Sequence, residues 1–293
     1  MTISKQDSGP DIDAAWNYGD PAGTRQGFTD LANANEDASL AWHLELKTQI
    51  ARTHSLVGEF DEAHKILDEV EPLLTQAMAR TATRYRLERG RAHNSAGEKE
   101  TARPLFVDAY EIAHAAGEDF LAVDAAHMVA IVDSGTASAK EWAAKGLEIS
   151  RASEDKKARG WVGPITNNLG WDAFDGEKYD EAIALFEESQ ASFEERQEPA
   201  RARIAIWSKA KAWRMQGKLD EALDAQLQML KEHEDAGTND AYVHEELAEL
   251  YLLKEDTTAA KPHFAKAYDL LVKDQWFVKN EAGRLQRLKE LSE

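Results

Sequence analysis

The sequence predicts an all-α fold: an α-solenoid of about six helix–turn–helix repeats with a capping helix at each end. Three observations carry that expectation. Apolar residues recur at helical spacing in paired segments divided by a short turn, as in "NNLGWDAFDGEKYDEAIALFEES" at 167–189. A block with the same order of small and large residues returns six times along the chain. Gly and Pro number only 17 and 7 in 293 residues, too few for a turn-rich β-sandwich.

Residues 1–10 read as a disordered tail, and 11–39 as an N-terminal cap. The cap holds a short helix with Trp16, then a helix that Asp20 caps and Pro21 opens. Proline suits that place because the first helical N–H has no intrahelical acceptor in any case. Six repeats span 40–273. Their second helices carry Ala63, Ala102, Ala139, Ala182, Ala222 and Ala260, at intervals of 39, 37, 43, 40 and 38 residues. Larger residues follow: Leu67, Phe106, Phe186 and Phe264 four positions after their alanines, and Met229 seven after Ala222. Small residues belong where two helices approach closely, large ones where a gap must be filled. The third repeat is the weakest copy. "SAKEWAAKGLEIS" aligns Ala139 and Gly146 but lacks the aromatic, and "DSGTAS" separates its helices. Residues 274–293 read as one amphipathic capping helix with Leu285, Leu288 and Leu291 on one side. No linker interrupts the pattern, so 11–293 is expected to be a single domain. Trp16, Trp42, Trp142, Trp161, Trp213 and Trp276 are read as core or cap.

The pairs Ala51/Ala63, Gly90/Ala102, Gly170/Ala182, Ala210/Ala222 and Ala248/Ala260 each stand twelve residues apart. In this the chain resembles tetratricopeptide-repeat proteins, whose unit is a helix–turn–helix with small residues at its packing points. The resemblance implies a right-handed superhelix whose concave surface is lined by the first helix of each pair. The period near 39 residues exceeds the usual 34 or so, and is similar to extended repeats in sensor regions of bacterial signalling proteins and to bacterial repeat proteins of no known activity.

First-helix residues not used in packing are the candidate contacts. One line runs Arg52, Arg91, His127, Trp171, Lys211 and Glu249, one residue per repeat. Around it sit Gln49, Glu88, Asn94, Asp124, Asn167, Asn168, Trp207, Arg214, Glu245 and Glu246. Trp207, Lys211 and Arg214 are spaced i, i+4, i+7 and share one helix face, with Trp171 and Asn167 expected opposite. Two indoles, two cations and the amides of Asn167 and Asn168 suit a peptide with an acidic or aromatic end. A two-carboxylate clamp of the kind some family members use is not matched. Trp171 stands where the clamp needs Asn, and the last repeat presents Glu245 and Glu246.

The absence of cysteine excludes disulfides and thiolate chemistry. A net charge of −19 repels phosphate backbones and anionic lipid, and no basic run offsets it, so neither nucleic acid nor membrane is an expected partner. No HExxH, GxSxG or phosphate-loop pattern occurs. Asp124 and His127 have the i, i+3 spacing of a helical metal pair, but a surface polar pair is the simpler reading. No enzyme activity, metal or cofactor is expected. The expectation is a cytoplasmic, non-catalytic scaffold or adaptor that binds a protein or peptide segment in its concave groove. The alternatives are a ligand- or peptide-sensing module, and a protein that self-assembles, as a homodimer for instance, through the apolar stripe of its C-terminal helix.

Overall fold

The computed structural model describes residues 9–293, so residues 1–8 of the expected tail lie outside the described residues. Among those described, helix alternates with short turns and no strand occurs. α1 (Pro21–Asn33) is followed by three antiparallel pairs: α2 (Leu40–Leu56) with α3 (Phe60–Val70), α4 (Ala79–Ser95) with α5 (Lys99–Ala116), and α6 (Asp119–Val132) with α7 (Ala137–Ala152). After the short α8 (Lys156–Arg159) come α9 (Val162–Asp175) with α10 (Tyr179–Glu195), α11 (Pro199–Met215) with α12 (Leu219–Asp235), and α13 (Ala241–Leu253) with α14 (Thr257–Leu271). α15 (Gln275–Asn280) and α16 (Ala282–Ser292) close the chain. The helices gather into two compact units, one ending at Trp161 and one covering Val162–Glu293, and within each they pack in sequence order, as in an α-solenoid.

The spacing of small and large residues becomes physical contact within each pair. A Cβ added at Gly90 would come within 2.5 Å of the Phe106 ring, and one at Gly170 within 2.6 Å of Phe186. Both rings are fully buried, each stabilising the fold by about 1.5–3 kcal/mol relative to exposure. Ala63, Ala102, Ala182 and Ala222 are likewise fully buried. In the fifth pair the equivalent of Phe106 is Gln226, fully buried, with neither its amide nitrogen nor its oxygen bonded to a protein partner.

The turns follow one plan. A residue with positive φ sits five positions before the packing alanine: Gly58, Gly97 and Gly217 fill it where the sequence provides glycine. In the "DGEKYD" turn the left-handed residue is Glu177, φ 59°, and not the neighbouring Gly176; Glu255 fills the same place in the last repeat. The third repeat's turn is one residue shorter, with Gly135 left-handed four positions before Ala139. The weak alignment nonetheless keeps its register, since Gly146 and Ser150 are buried where Ala109 and Ala113 are in the second repeat. Asp133 ties this turn down through a bidentate contact with Arg103, at 2.8 and 2.9 Å.

At the N-terminus the Asp20 carboxylate accepts from the Gly23 amide at 2.9 Å, and Pro21 opens α1, as the sequence predicts. The C-terminal segment departs from expectation in two ways. It breaks at Glu281 into α15 and α16 where one helix was expected. Its leucine stripe is also not open: Leu288 is fully buried, and Leu285 and Leu291 pack on the same cluster as Phe264 and Leu271. Trp276, expected in core or cap, is 63% exposed, because α15 turns its neighbour Phe277 inward instead. No helix of the described residues is long and apolar enough to cross a membrane.

Candidate functional site

The two units present the candidate contacts in different states. In the first unit they are bound to one another. The Gln49 amide donates to Glu88 at 3.3 Å, and Arg52 reaches the same carboxylate at 3.1 Å. Arg91 donates to Glu88 at 2.8 Å and to both oxygens of Asp124 at 2.5 and 2.6 Å. Arg52, Glu88, Arg91 and Asp124 thus form an ion-pair ladder across α2, α4 and α6. Burial alone would discharge its members, but Asp124 and Glu88 raise the Arg91 pKa further. Against the same burial, Arg91 holds the Asp124 carboxyl below its ordinary value. His127 packs 4.9 Å from the Trp161 ring, and burial pushes its imidazole below the usual histidine range. With Asp124 committed to Arg91, the Asp124/His127 spacing does not make a metal pair. Among the described residues no group of three His, Asp or Glu is placed to hold an ion.

In the second unit an aromatic row crosses the first helices. The Trp171 and Trp207 ring centroids are 5.9 Å apart, and those of Trp207 and Tyr242 6.0 Å. The row is fixed: the Trp207 indole N–H donates to the Tyr242 carbonyl at 3.1 Å, and Phe186 backs Trp171 at 5.4 Å. The Lys211 ammonium stands over it, 5.1 Å from the Trp207 centroid, 5.6 Å from Trp171 and 5.8 Å from Phe174. This geometry gives cation–π attraction of roughly 0.5–2 kcal/mol per ring. Burial lowers the Lys211 pKa below the ordinary lysine value, with Arg284 and Arg214 acting in the same sense and Glu246 opposing.

Arg214, expected as a second free cation, is paired: its guanidinium binds Glu246 at 2.5 and 3.3 Å. Glu245 is held by Arg284 at 2.6 and 2.5 Å, and Glu249 by Arg287. The local basic field predicted from Lys211 and Arg214 therefore narrows to Lys211, which forms no ion pair among the described residues. Asn167 and Asn168 share α9 with Trp171, and Asn168 is exposed. The Asn167 side-chain oxygen is buried without a protein donor.

Sequence reasoning missed Tyr242, Phe174 and Ile204. Tyr242 and the 55%-exposed Ile204 lie six residues before the packing residues Ala248 and Ala210, three positions before Glu245 and Trp207, the earliest candidates on those two helices. That register was detectable, since the same offset gives Glu45 and Arg84 on α2 and α4, and Arg84 lies 3.4 Å from Glu45.

Comparison with known proteins places the fold. No family model matches the chain, and no curated protein does. Among solved structures, the apo form of RapI superposes with a TM-score of 0.70 at 13% identity, over 90% of this chain and 77% of that one. A signal-transduction ATPase with a tetratricopeptide-repeat sensor, from Pyrococcus horikoshii, gives 0.70 at 15% identity; 96% of this chain aligns with 44% of that protein, so it spans under half its length. NprR in complex with its cognate peptide NprX gives 0.51 at 13% identity, over 96% and 82% of the two chains. The fold is that of tetratricopeptide-repeat proteins.

Proposed function

We propose that the chain is a non-catalytic module that binds a peptide or protein segment on the first-helix face of the Val162–Glu293 unit. The observation that carries this reading is the Trp171–Trp207–Tyr242 row with an unpaired Lys211 ammonium over it. Neighbouring charges on this face are cancelled in pairs. An anionic group on the partner would therefore meet one cation, with apolar surface from Ile204 and Tyr242 beside it. Trp and Tyr are among the common energetic anchors of interfaces. NprR, similar in fold, is a protein whose structure holds a cognate peptide, which supports a peptide as the class of ligand.

The test is fluorescence anisotropy with a library of short labelled peptides in which a carboxylate follows one or two aromatic residues. Binding by wild type that falls at least tenfold in Lys211→Gln and in Tyr242→Ala, at unchanged helicity, supports the reading. Binding unaffected by both changes, or none across the library, sinks it.

A further inference from the structure

We propose that the first-helix face of the first unit is a second docking surface, for segments carrying two carboxylates and an indole, and that the chain's own residues 9–18 occupy it. This rests on a different unit from the site above and does not depend on it.

The segment from Gly9 to Tyr18 is irregular, with bends at Pro10 and Ile12, a 3-10 turn at Asp13–Ala15 and a further turn that Tyr18 enters. It lies against the helices that carry the charge ladder. The Trp42 indole N–H donates to the Pro10 carbonyl at 2.9 Å, and the Trp16 indole N–H to the Gln49 side-chain oxygen at 3.0 Å. Asp13 pairs with Arg84, and Arg80 stands 3.7 Å away. Lys157 on α8 reaches Asp11 at 3.1 Å and Asp13 at 3.0 Å. The stacked Trp16 and Tyr18 rings lie over the Arg52 guanidinium at 5.8 and 5.4 Å.

The segment has one apolar anchor, Ile12, which is buried with Phe28, Trp42 and Leu46 while Trp16 packs on that cluster. Two features beyond it mark an occupied site, and Tyr18 at the segment's end is 60% exposed. The receptor side is held independently of it: Arg84 approaches Glu45, and Arg80 binds both Glu45 at 3.1 Å and Glu118 at 2.8 Å. Those contacts remain if the segment leaves, whereas the two ion pairs of Lys157 are both to the segment. Finally, at the offset where Arg84 is 5% exposed beneath it, the second unit has Ile204 and Tyr242 exposed at 55% and 40%. The partner chemistry is read from the occupant: carboxylates two residues apart, as Asp11 and Asp13, with an indole three residues on, as Trp16.

A tethered segment competes at an effective concentration of order millimolar, so an outside peptide at micromolar concentration is largely excluded until the tether is weakened. The test uses the full chain and a fluorescent peptide of residues 9–20. Asp11→Asn with Asp13→Asn in the full chain is expected to bind that peptide at least tenfold more tightly than wild type, and adding Lys157→Ala to reverse most of the gain. In wild type, amides 9–18 are expected to exchange hydrogen well ahead of α2 and α4. Equal affinity in wild type and the Asn variant overturns the proposal. So does exchange of 9–18 as slow as the helices, or loss of helicity in the Asn variant and in Trp16→Ala alike, since each would make the segment part of the fold.

Discussion

The Lys211 ammonium lies 5.1 Å from the Trp207 ring centre and forms no ion pair among the described residues, while Arg214, three residues on, is held by Glu246 at 2.5 Å. Two cations on one helix face thus differ in what they leave available. Lys211→Met keeps the stem packed on the rings and removes a desolvated charge, so stability should change by less than about 1 kcal/mol in a urea melt. Lys211→Glu brings a third carboxylate toward Glu245 and Glu246 and should cost about 1–2 kcal/mol. A neutral substitution is therefore the cleaner probe of binding.

Gly170 and Glu177 make opposite predictions about glycine. Gly170→Ala drives a methyl into the Phe186 ring and should destabilise by about 1–3 kcal/mol. Glu177 holds a left-handed conformation that costs an L-residue about 1 kcal/mol, so Glu177→Gly should raise the denaturation midpoint by about 0.5–1 kcal/mol in stability. A lower midpoint for Glu177→Gly would mean that its side chain makes a compensating interaction.

Gln226 is fully buried in the place that phenylalanine takes in three other repeats, with its amide unmatched by protein partners. Burying an unsatisfied amide costs about 1–3 kcal/mol, so Gln226→Met, of similar volume, should stabilise by about 1–2 kcal/mol. Calorimetry decides it: an unchanged or lowered Tm rejects the account.

His244 and His263 face one another through Nδ1 atoms 2.9 Å apart, between α13 and α14. Burial and then the neighbouring His263 depress the His244 pKa to about 4, with Lys266 and His233 acting in the same sense and Asp240 opposing. Burial also lowers His263, against Glu234. For a histidine depressed on folding, the unfolded chain binds the proton more tightly. Stability is full above about pH 6.5 and falls as pH drops toward 4, by about 1–3 kcal/mol for this pair. Urea midpoints at pH 7.5 and 5.0 measure it, and His244→Gln should flatten the difference.

Legible in the residues alone was the repeat: which helices pair, where turns fall, and that Ala51, Gly90, Gly170, Ala210 and Ala248 stand where a small side chain is needed. Each follows from local periodicity and side-chain volume, which act over a few residues and recur six times. The sequence also located the aromatic and cationic cluster of Trp171, Trp207 and Lys211, because helical spacing fixes which side chains share a face. Tertiary structure decided which charges stay available. Arg52, Arg91 and Asp124 became a closed ladder, and Arg214 met Glu246, because their partners lie 32 to 36 residues away on the next repeat. No periodicity encodes whether two such side chains meet at hydrogen-bond distance. The same holds for the strap over Arg84, 71 residues distant from Asp13, and for the stripe of Leu285, Leu288 and Leu291, which folding turns onto α14. Volume and period are written locally; the neutralisation of charge depends on distances that exist only once the helices have stacked.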